Sequence, residues 1–159
     1  GCGSKVRAFA QVSFTALPPV LVVQLKRFHY KDGQRYRLSM PVRIPLESLD
    51  LHRFCDKVNV PLERRSNEEN PAAGGPLPCY DLLAMSLHCG VASAGHYVAF
   101  VRSCENGSWY LFNDDVVAEV SAAEVEADQT GPYVLVYIRR DHRPESWGAP
   151  NPSNEPART

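Results

Sequence analysis

In this 159-residue chain, a hairpin brings together His96 and the run Asn113-Asp114-Asp115, side chains that could handle and steer a proton. An imidazole titrates near neutrality, so it can take a proton and return it at working pH. A carboxylate or carboxamide beside it can fix its ring and tautomer. That pair is two-thirds of a nucleophile–base–orienter triad. Asn106-Gly107 lies between them and is a strong hairpin signal. With Ser103 to Gly107 as the loop and Arg102 facing Ser108, antiparallel pairing sets His96 opposite Asp114 and Tyr97 opposite Asn113. A shift of one residue sets His96 opposite Asn113 instead. In both registers the groups share one end of a hairpin, where directly opposed Cβ atoms lie about 4.5–5.5 Å apart. Spacing does not choose among Asn113, Asp114 and Asp115, and Asn-Asp-Asp after a strand also reads as a plain turn.

The elements that must position these groups are mostly strands. His96 to Arg102 and Ser108 to Phe112 are the arms of the hairpin, which Val116-Val117 and Glu119-Val120 extend. Tyr80 to His88 is compatible with a strand, although Leu82-Leu83-Ala84-Met85 favours helix locally. Tyr133 to Ile138 is a continuously apolar final strand. Earlier in the chain, Val20 to Phe28 reads as a mostly buried strand with a polar end, preceded by Pro18-Pro19. Lys31-Asp32-Gly33 makes a turn, Tyr36 to Ile44 a possible edge strand, and Pro45 to Phe54 a short helical turn. Ser121-Ala122-Ala123-Glu124 matches a capping box that opens a short helix. The total is mainly antiparallel β with a little helix.

Prolines divide the chain. Residues 61–79 read as a flexible insertion, and 141–159 as a disordered Pro-rich tail. Lysines and arginines number 17 against 18 acidic residues, so no basic excess points to nucleic acid. Arg64-Arg65 falls in the insertion and is not a phosphate patch. No apolar run approaches the roughly 18 residues of a membrane span. The cysteines number five, an odd count, and no two are spaced C-x-x-C. A reducing, intracellular compartment, cytoplasmic or nuclear, is the natural expectation. The chain does not begin with Met, so Gly1 is expected not to be the true start.

Three collinear segments resemble the ubiquitin-specific protease family of cysteine-type deubiquitinases. Gly95-His96-Tyr97-Val98-Ala99-Phe100-Val101-Arg102 is similar to that family's histidine box. Trp109-Tyr110-Leu111-Phe112-Asn113-Asp114-Asp115-Val116-Val117 resembles the segment that follows it, and Leu17 to Phe28 resembles the upstream core strand. The resemblance covers about residues 2–140 and implies an α+β fold of the papain-like cysteine protease superfamily, mainly its antiparallel β half (palm and fingers). It implies hydrolysis after the C-terminal glycine of ubiquitin, with ubiquitin and ubiquitinated proteins as partners and no cofactor. By the same resemblance His96 is the base, Asn113 the orienter and Asp114 a support. Cys89 to Gly95 matches the family's mobile loop, and Gly95 and Tyr97 line the channel for the diglycine end.

The family's nucleophile lies in a box of the type Gly-Asn-Thr-Cys, and none of Cys2, Cys55, Cys79, Cys89 or Cys104 has that context. Cys2 resembles one member of a zinc-binding pair, but one ligand makes no tetrahedral site, so no metal is expected here. The chain therefore reads as the C-terminal half of a catalytic domain. It should be inert and poorly stable without the N-terminal half, whose absence leaves an apolar face open. The alternatives are a non-catalytic ubiquitin-binding pseudoenzyme module, a protease for a ubiquitin-like modifier, and an unrelated small β domain. Other residues have plain readings. His29, His52 and His142 face solvent, His88 is a strand-end residue outside the site, Trp109 packs the hairpin, and Lys26-Arg27 is the exposed end of a strand.

Overall fold

The apolar runs become strands in the computed structural model, which describes residues 12–55, 79–92 and 94–148. The chain divides into two compact units, one of residues 1–17 and 51–77, the other of 18–50 and 78–159. In the first unit, Phe14 bridges Cys55 in parallel, and a single 3-10 turn spans His52–Phe54. That turn is the short helical element expected near Phe54. The insertion at 61–79 lies outside the described residues except for Cys79, which is buried.

The second unit is built on a sheet. Among the described residues its strands are β1 (Val20–Gln24), β4 (Tyr80–Val91), β5 (Ala94–Arg102), β6 (Trp109–Asn113), β7 (Val116–Val120) and β8 (Pro132–Arg139). They are ordered β1-β8-β4-β5-β6-β7, with every pairing antiparallel. The long β4 and the apolar β8 lie inside the sheet and give it most of its core: Tyr80, Leu82, Met85, Leu87, Leu135 and Tyr137. The helix-favouring run Leu82 to Met85 is strand because pairing on both sides outweighs local propensity. β1 is an edge strand, with Val20 and Val22 exposed. It is therefore half-exposed, which corrects the mostly buried strand expected from its composition, and it stops at Gln24.

β2 (Phe28–Lys31) and β3 (Gln34–Arg37) form a separate hairpin around Asp32-Gly33. Both turn residues have positive φ, 51° and 75°, as a two-residue type I′ turn demands. The expected strand from Tyr36 to Ile44 ends at Arg37. After that, the backbone is held by a side chain. Arg27 is only 3% exposed and donates to the carbonyls of Pro132, Leu38, Met40 and Gln129 at 2.5, 3.1, 2.8 and 3.0 Å. Arg27 is thus a buried tie between segments, not the exposed strand end its neighbours suggested. Lys26 is exposed.

Helix α1 (Ala122–Ala127) starts at the expected capping box: the Ser121 hydroxyl accepts from the Glu124 amide, and the Glu124 carboxylate accepts from the Ser121 amide. It buries Val125 against the core. Two 3-10 turns, Arg140–His142 and Glu145–Trp147, run into the first residues of the tail read from sequence at 141–159. Their anchor is Asp81, fully buried on β4, which accepts from Arg140 (2.8 Å), Arg143 (2.7 Å) and the Ser48 amide (3.0 Å). Burial alone would raise the Asp81 pKa. The hydrogen bonds from Arg140, Ser48 and Arg143 outweigh it and hold the carboxyl below its ordinary value. Trp147 is buried, donates to the Ser103 carbonyl at 2.7 Å and lies under the Arg102 guanidinium. Two arginines and an indole thus give this Pro-flanked segment the partners its composition does not advertise.

Candidate active site

The hairpin of β5 and β6 carries the two groups singled out by sequence. Its loop is Cys104 to Gly107, one residue shorter than expected. The Ser103 amide donates to the Ser108 carbonyl (2.8 Å), and the Gly107 amide to the Ser103 carbonyl (3.0 Å). Gly107 has φ 75°, which suits glycine. The loop's own polar side chains close it: Ser103 Oγ accepts from the Glu105 amide, and Asn106 Oδ1 from the Ser108 amide.

That loop sets the register. Arg102 pairs with Trp109 and Ala99 with Phe112, so the next pair in step would be Val98 with Asn113. Neither expected register, His96 opposite Asp114 or opposite Asn113, is the one observed. The two residues meet all the same, because side chains two apart in a strand share a face and diagonal neighbours lie within reach of long side chains. His96 Nε2 lies 2.6 Å from Asn113 Oδ1. Asn113 closes β6, and Asp114 opens the two-residue turn to β7 with φ 52°. Asp114 Oδ2 is 3.9 Å from His96 Nε2, with side-chain exposures of 77% and 47%. A pair that open to solvent is a weak one. Asp115 is exposed and is not among the partners of His96. Geometry therefore selects Asn113 first and Asp114 second from a trio that spacing left open.

The amide oxygen can only accept, so Nε2 carries the proton and Nδ1 keeps its lone pair. The arrangement can orient the imidazole through Nε2 and leave Nδ1 as the nitrogen that could take a proton. Directly across the ladder from His96 stands Cys89, an exposed residue of β4. The segment Cys89 to Gly95, expected as a mobile loop, is mostly the tip of the β4–β5 ladder: Cys89, Gly90 and Val91 pair with His96, Gly95 and Ala94. Cys104 sits in the β5–β6 loop, and Cys79 precedes β4.

Gly95 and Tyr97 flank His96 and so present the opposite face. There Tyr97, half-exposed, meets an aromatic cluster. Its ring lies edge-on to His88 (centroids 4.9 Å apart) and 6.2 Å from Tyr133, while Phe28 meets His88 at 5.0 Å and Tyr133 at 5.4 Å. His88 is 4% exposed, and β4 runs past it to Val91, so it is not the strand-end residue expected. The β4–β8 pairing is irregular between Ser86 and Leu87, and Leu87 and His88 are both buried. The sequence carries no sign of that irregularity. Trp109 is buried in the hairpin as expected, and His29 and His142 are exposed. Nothing is described of the His52 side chain or of Cys2. Among the described residues no group of three His, Cys, Asp or Glu side chains could hold a metal ion. Nor is any helix among them long and apolar enough to cross a membrane.

Comparison with known proteins gives this geometry a context. The family model described as ubiquitin carboxyl-terminal hydrolase matches residues 1–137. Ubiquitin carboxyl-terminal hydrolase 15 of Rattus norvegicus is 38% identical over 141 residues, covering 88% of this chain and 13% of its own length. Ubl carboxyl-terminal hydrolase 18 of Homo sapiens is 29% identical over 148 residues, covering 88% of this chain and 37% of its own. Among solved structures, the SAGA Ubp8/Sgf11/Sus1/Sgf73 DUB module matches with a TM-score of 0.62 at 31% identity, over 80% of this chain and 25% of that one. The same module bound to ubiquitin aldehyde matches with a TM-score of 0.61 at 34% identity, over 78% and 25%. The chain thus spans a small part of the relatives it matches.

Proposed function

Because the chain belongs to the ubiquitin carboxyl-terminal hydrolase family and carries the mainly antiparallel β part of a papain-like α+β fold, we propose that it supplies the base side of a deubiquitinase site. The reaction is thiol-dependent hydrolysis after the C-terminal glycine of ubiquitin. The observation that carries this reading is the 2.6 Å contact between His96 Nε2 and Asn113 Oδ1.

In this reading His96 takes the thiol proton at Nδ1, and the thiolate attacks the carbonyl of the terminal glycine. The imidazolium returns the proton to the leaving amine, forming a thioester. Water, deprotonated by the same nitrogen, then releases the carboxylate. Asn113 holds the ring through these transfers. A neutral orienter suffices because a thiolate is already a good nucleophile. Asp114, at 3.9 Å, adds a screened negative charge beside the imidazolium. Gly95 and Tyr97 line the channel for the diglycine end. Residues 2–140 are the C-terminal part of the catalytic domain, and the nucleophilic cysteine and the half that bears it come from outside these 159 residues. Cys89 pairs with His96 across the ladder but lies on a strand, outside any Gly-Asn-Thr-Cys box. Ubiquitin and ubiquitinated proteins are the partners, in a reducing intracellular compartment.

The test is hydrolysis of a ubiquitin C-terminal amide by the intact protein that contains this chain, by its Cys89→Ser variant, and by the 159-residue chain alone. The intact protein and Cys89→Ser should turn over at the same rate, and the chain alone not at all. Loss of turnover in Cys89→Ser would overturn the placement of the nucleophile. An intact protein that binds ubiquitin without hydrolysing the amide would overturn catalysis in favour of a ubiquitin-binding module.

A further inference from the structure

One buried side chain touches both residues assigned to the substrate channel. An ideal Cβ built on Gly95 would fall 2.0 Å from His88 Nε2 and 2.3 Å from its Cε1. The ring of His88 therefore fills the space that any side chain at position 95 would need. The same ring lies edge-on to Tyr97 at 4.9 Å and to Phe28 at 5.0 Å. Its backbone is fixed at both ends: the His88 amide donates to the Gly131 carbonyl (3.0 Å), and its carbonyl accepts from Arg37 (2.9 Å). To make room for a methyl group at position 95 the ring would have to turn against Phe28 and Tyr97, which pack on it.

We propose that His88 is a positioning residue of the substrate channel, an aromatic wedge that keeps position 95 bare and holds the Tyr97 ring in place. This rests on the reading that Gly95 and Tyr97 line that channel. The surroundings suit a neutral ring. His88 Nδ1 is buried without a hydrogen-bond partner, and the charged groups acting on the ring, Arg37 and Arg35, are both cationic. Burial and then these two arginines lower the pKa of His88. The other titratable groups packed here are the phenols of Tyr97 and Tyr133. Protonation would place a third positive charge between Phe28 and Tyr97 and push the wedge out.

The experiment uses the intact protein and four variants: His88→Phe, His88→Ala, Gly95→Ala and the double variant His88→Ala with Gly95→Ala. His88→Ala should raise KM for a ubiquitin C-terminal amide about tenfold with kcat within about threefold, because the channel loosens while the base is untouched. His88→Phe keeps the wedge and should stay within about threefold of wild type in both constants. The wild-type KM should climb once pH falls below the ordinary histidine range, because burial and the two arginines lower the His88 pKa, whereas that of His88→Phe should not. Gly95→Ala should lower the thermal midpoint, and adding His88→Ala should recover part of the loss. An unchanged KM in His88→Ala, or His88→Phe as impaired as His88→Ala, would overturn the proposal. Should the wild type hydrolyse no ubiquitin amide, the functional reading fails separately. The wedge is then judged on the thermal cycle: partial recovery supports it, and additive losses sink it.

Discussion

His96 Nε2 and Asn113 Oδ1 stand 2.6 Å apart although the ladder places the two residues diagonally, not face to face. The contact comes from a four-residue loop that steps the hairpin register, and from Asn113 being the last residue of its strand. The acceptor oxygen favours the tautomer with the proton on Nε2, so Asn113 sets the orientation of the ring and the aim of Nδ1.

Asn113→Ala in the intact protein should therefore cut kcat for a ubiquitin C-terminal amide by roughly 10²-fold, while KM moves little. Asn113→Asp keeps an acceptor in the same place and should retain most of the activity. Steady-state kinetics of the two variants checks both statements. Equal activity in Asn113→Ala and wild type would remove Asn113 from the site.

Arg27 holds four backbone carbonyls, that of Pro132 at the start of β8 and those of Leu38, Met40 and Gln129 outside the strands. Arg27→Met keeps much of the volume and loses every one of those bonds. It should cost about 3 kcal/mol, since each orphaned buried acceptor carries a penalty of order 1 kcal/mol or more. Urea unfolding of the complete catalytic domain reads this, and a change below about 0.5 kcal/mol would contradict the role given to Arg27.

The Asp81 carboxyl titrates below its ordinary value in the folded state, so the unfolded chain binds more protons at mildly acid pH. Its contribution is present in full above the unfolded pKa and is lost as pH falls through the folded pKa. At pH 7, Asp81→Asn should destabilise by about 3 kcal/mol, because Arg140 and Arg143 lose their counter-charge. The gap between variant and wild type should close as pH falls below about 4. Unfolding measured between about pH 3 and pH 7 would show a constant gap if Asp81 made no ionised contribution.

Trp147 joins residues 140–148 to the β5–β6 loop through Ser103 and Arg102. Trp147→Ala should cost about 3 kcal/mol, the usual loss on emptying a buried aromatic site. It should also quicken amide exchange at Ser103 and Gly107. Exchange rates like those of wild type would mean that the segment does not brace the hairpin.

The readable parts of this fold were those where local chemistry acts alone. Asp32-Gly33 turns because two residues in sequence need positive φ, and Ser121 and Glu124 cap a helix three residues apart. The hairpin and its histidine were legible for the same reason. The register was not, since one residue of loop length changes every pair and only the bonds of Ser103 and Asn106 settle it. Arg27, Asp81 and His88 were misread or passed over because their partners lie far off in the chain: Gln129 and Pro132 for Arg27, Arg140 and Arg143 for Asp81. A charged or polar residue looks exposed in sequence until its tertiary partners are known. Spacing likewise left Asn113, Asp114 and Asp115 open, and only the family resemblance pointed to Asn113, whose Oδ1 lies 2.6 Å from His96 Nε2.

The most direct test of this account is the turnover of a ubiquitin C-terminal amide by the intact protein with His96→Gln, measured beside its affinity for ubiquitin. The account predicts a loss of at least about 10²-fold in kcat with ubiquitin affinity preserved, since only the base is removed. Turnover equal to wild type in His96→Gln would contradict it.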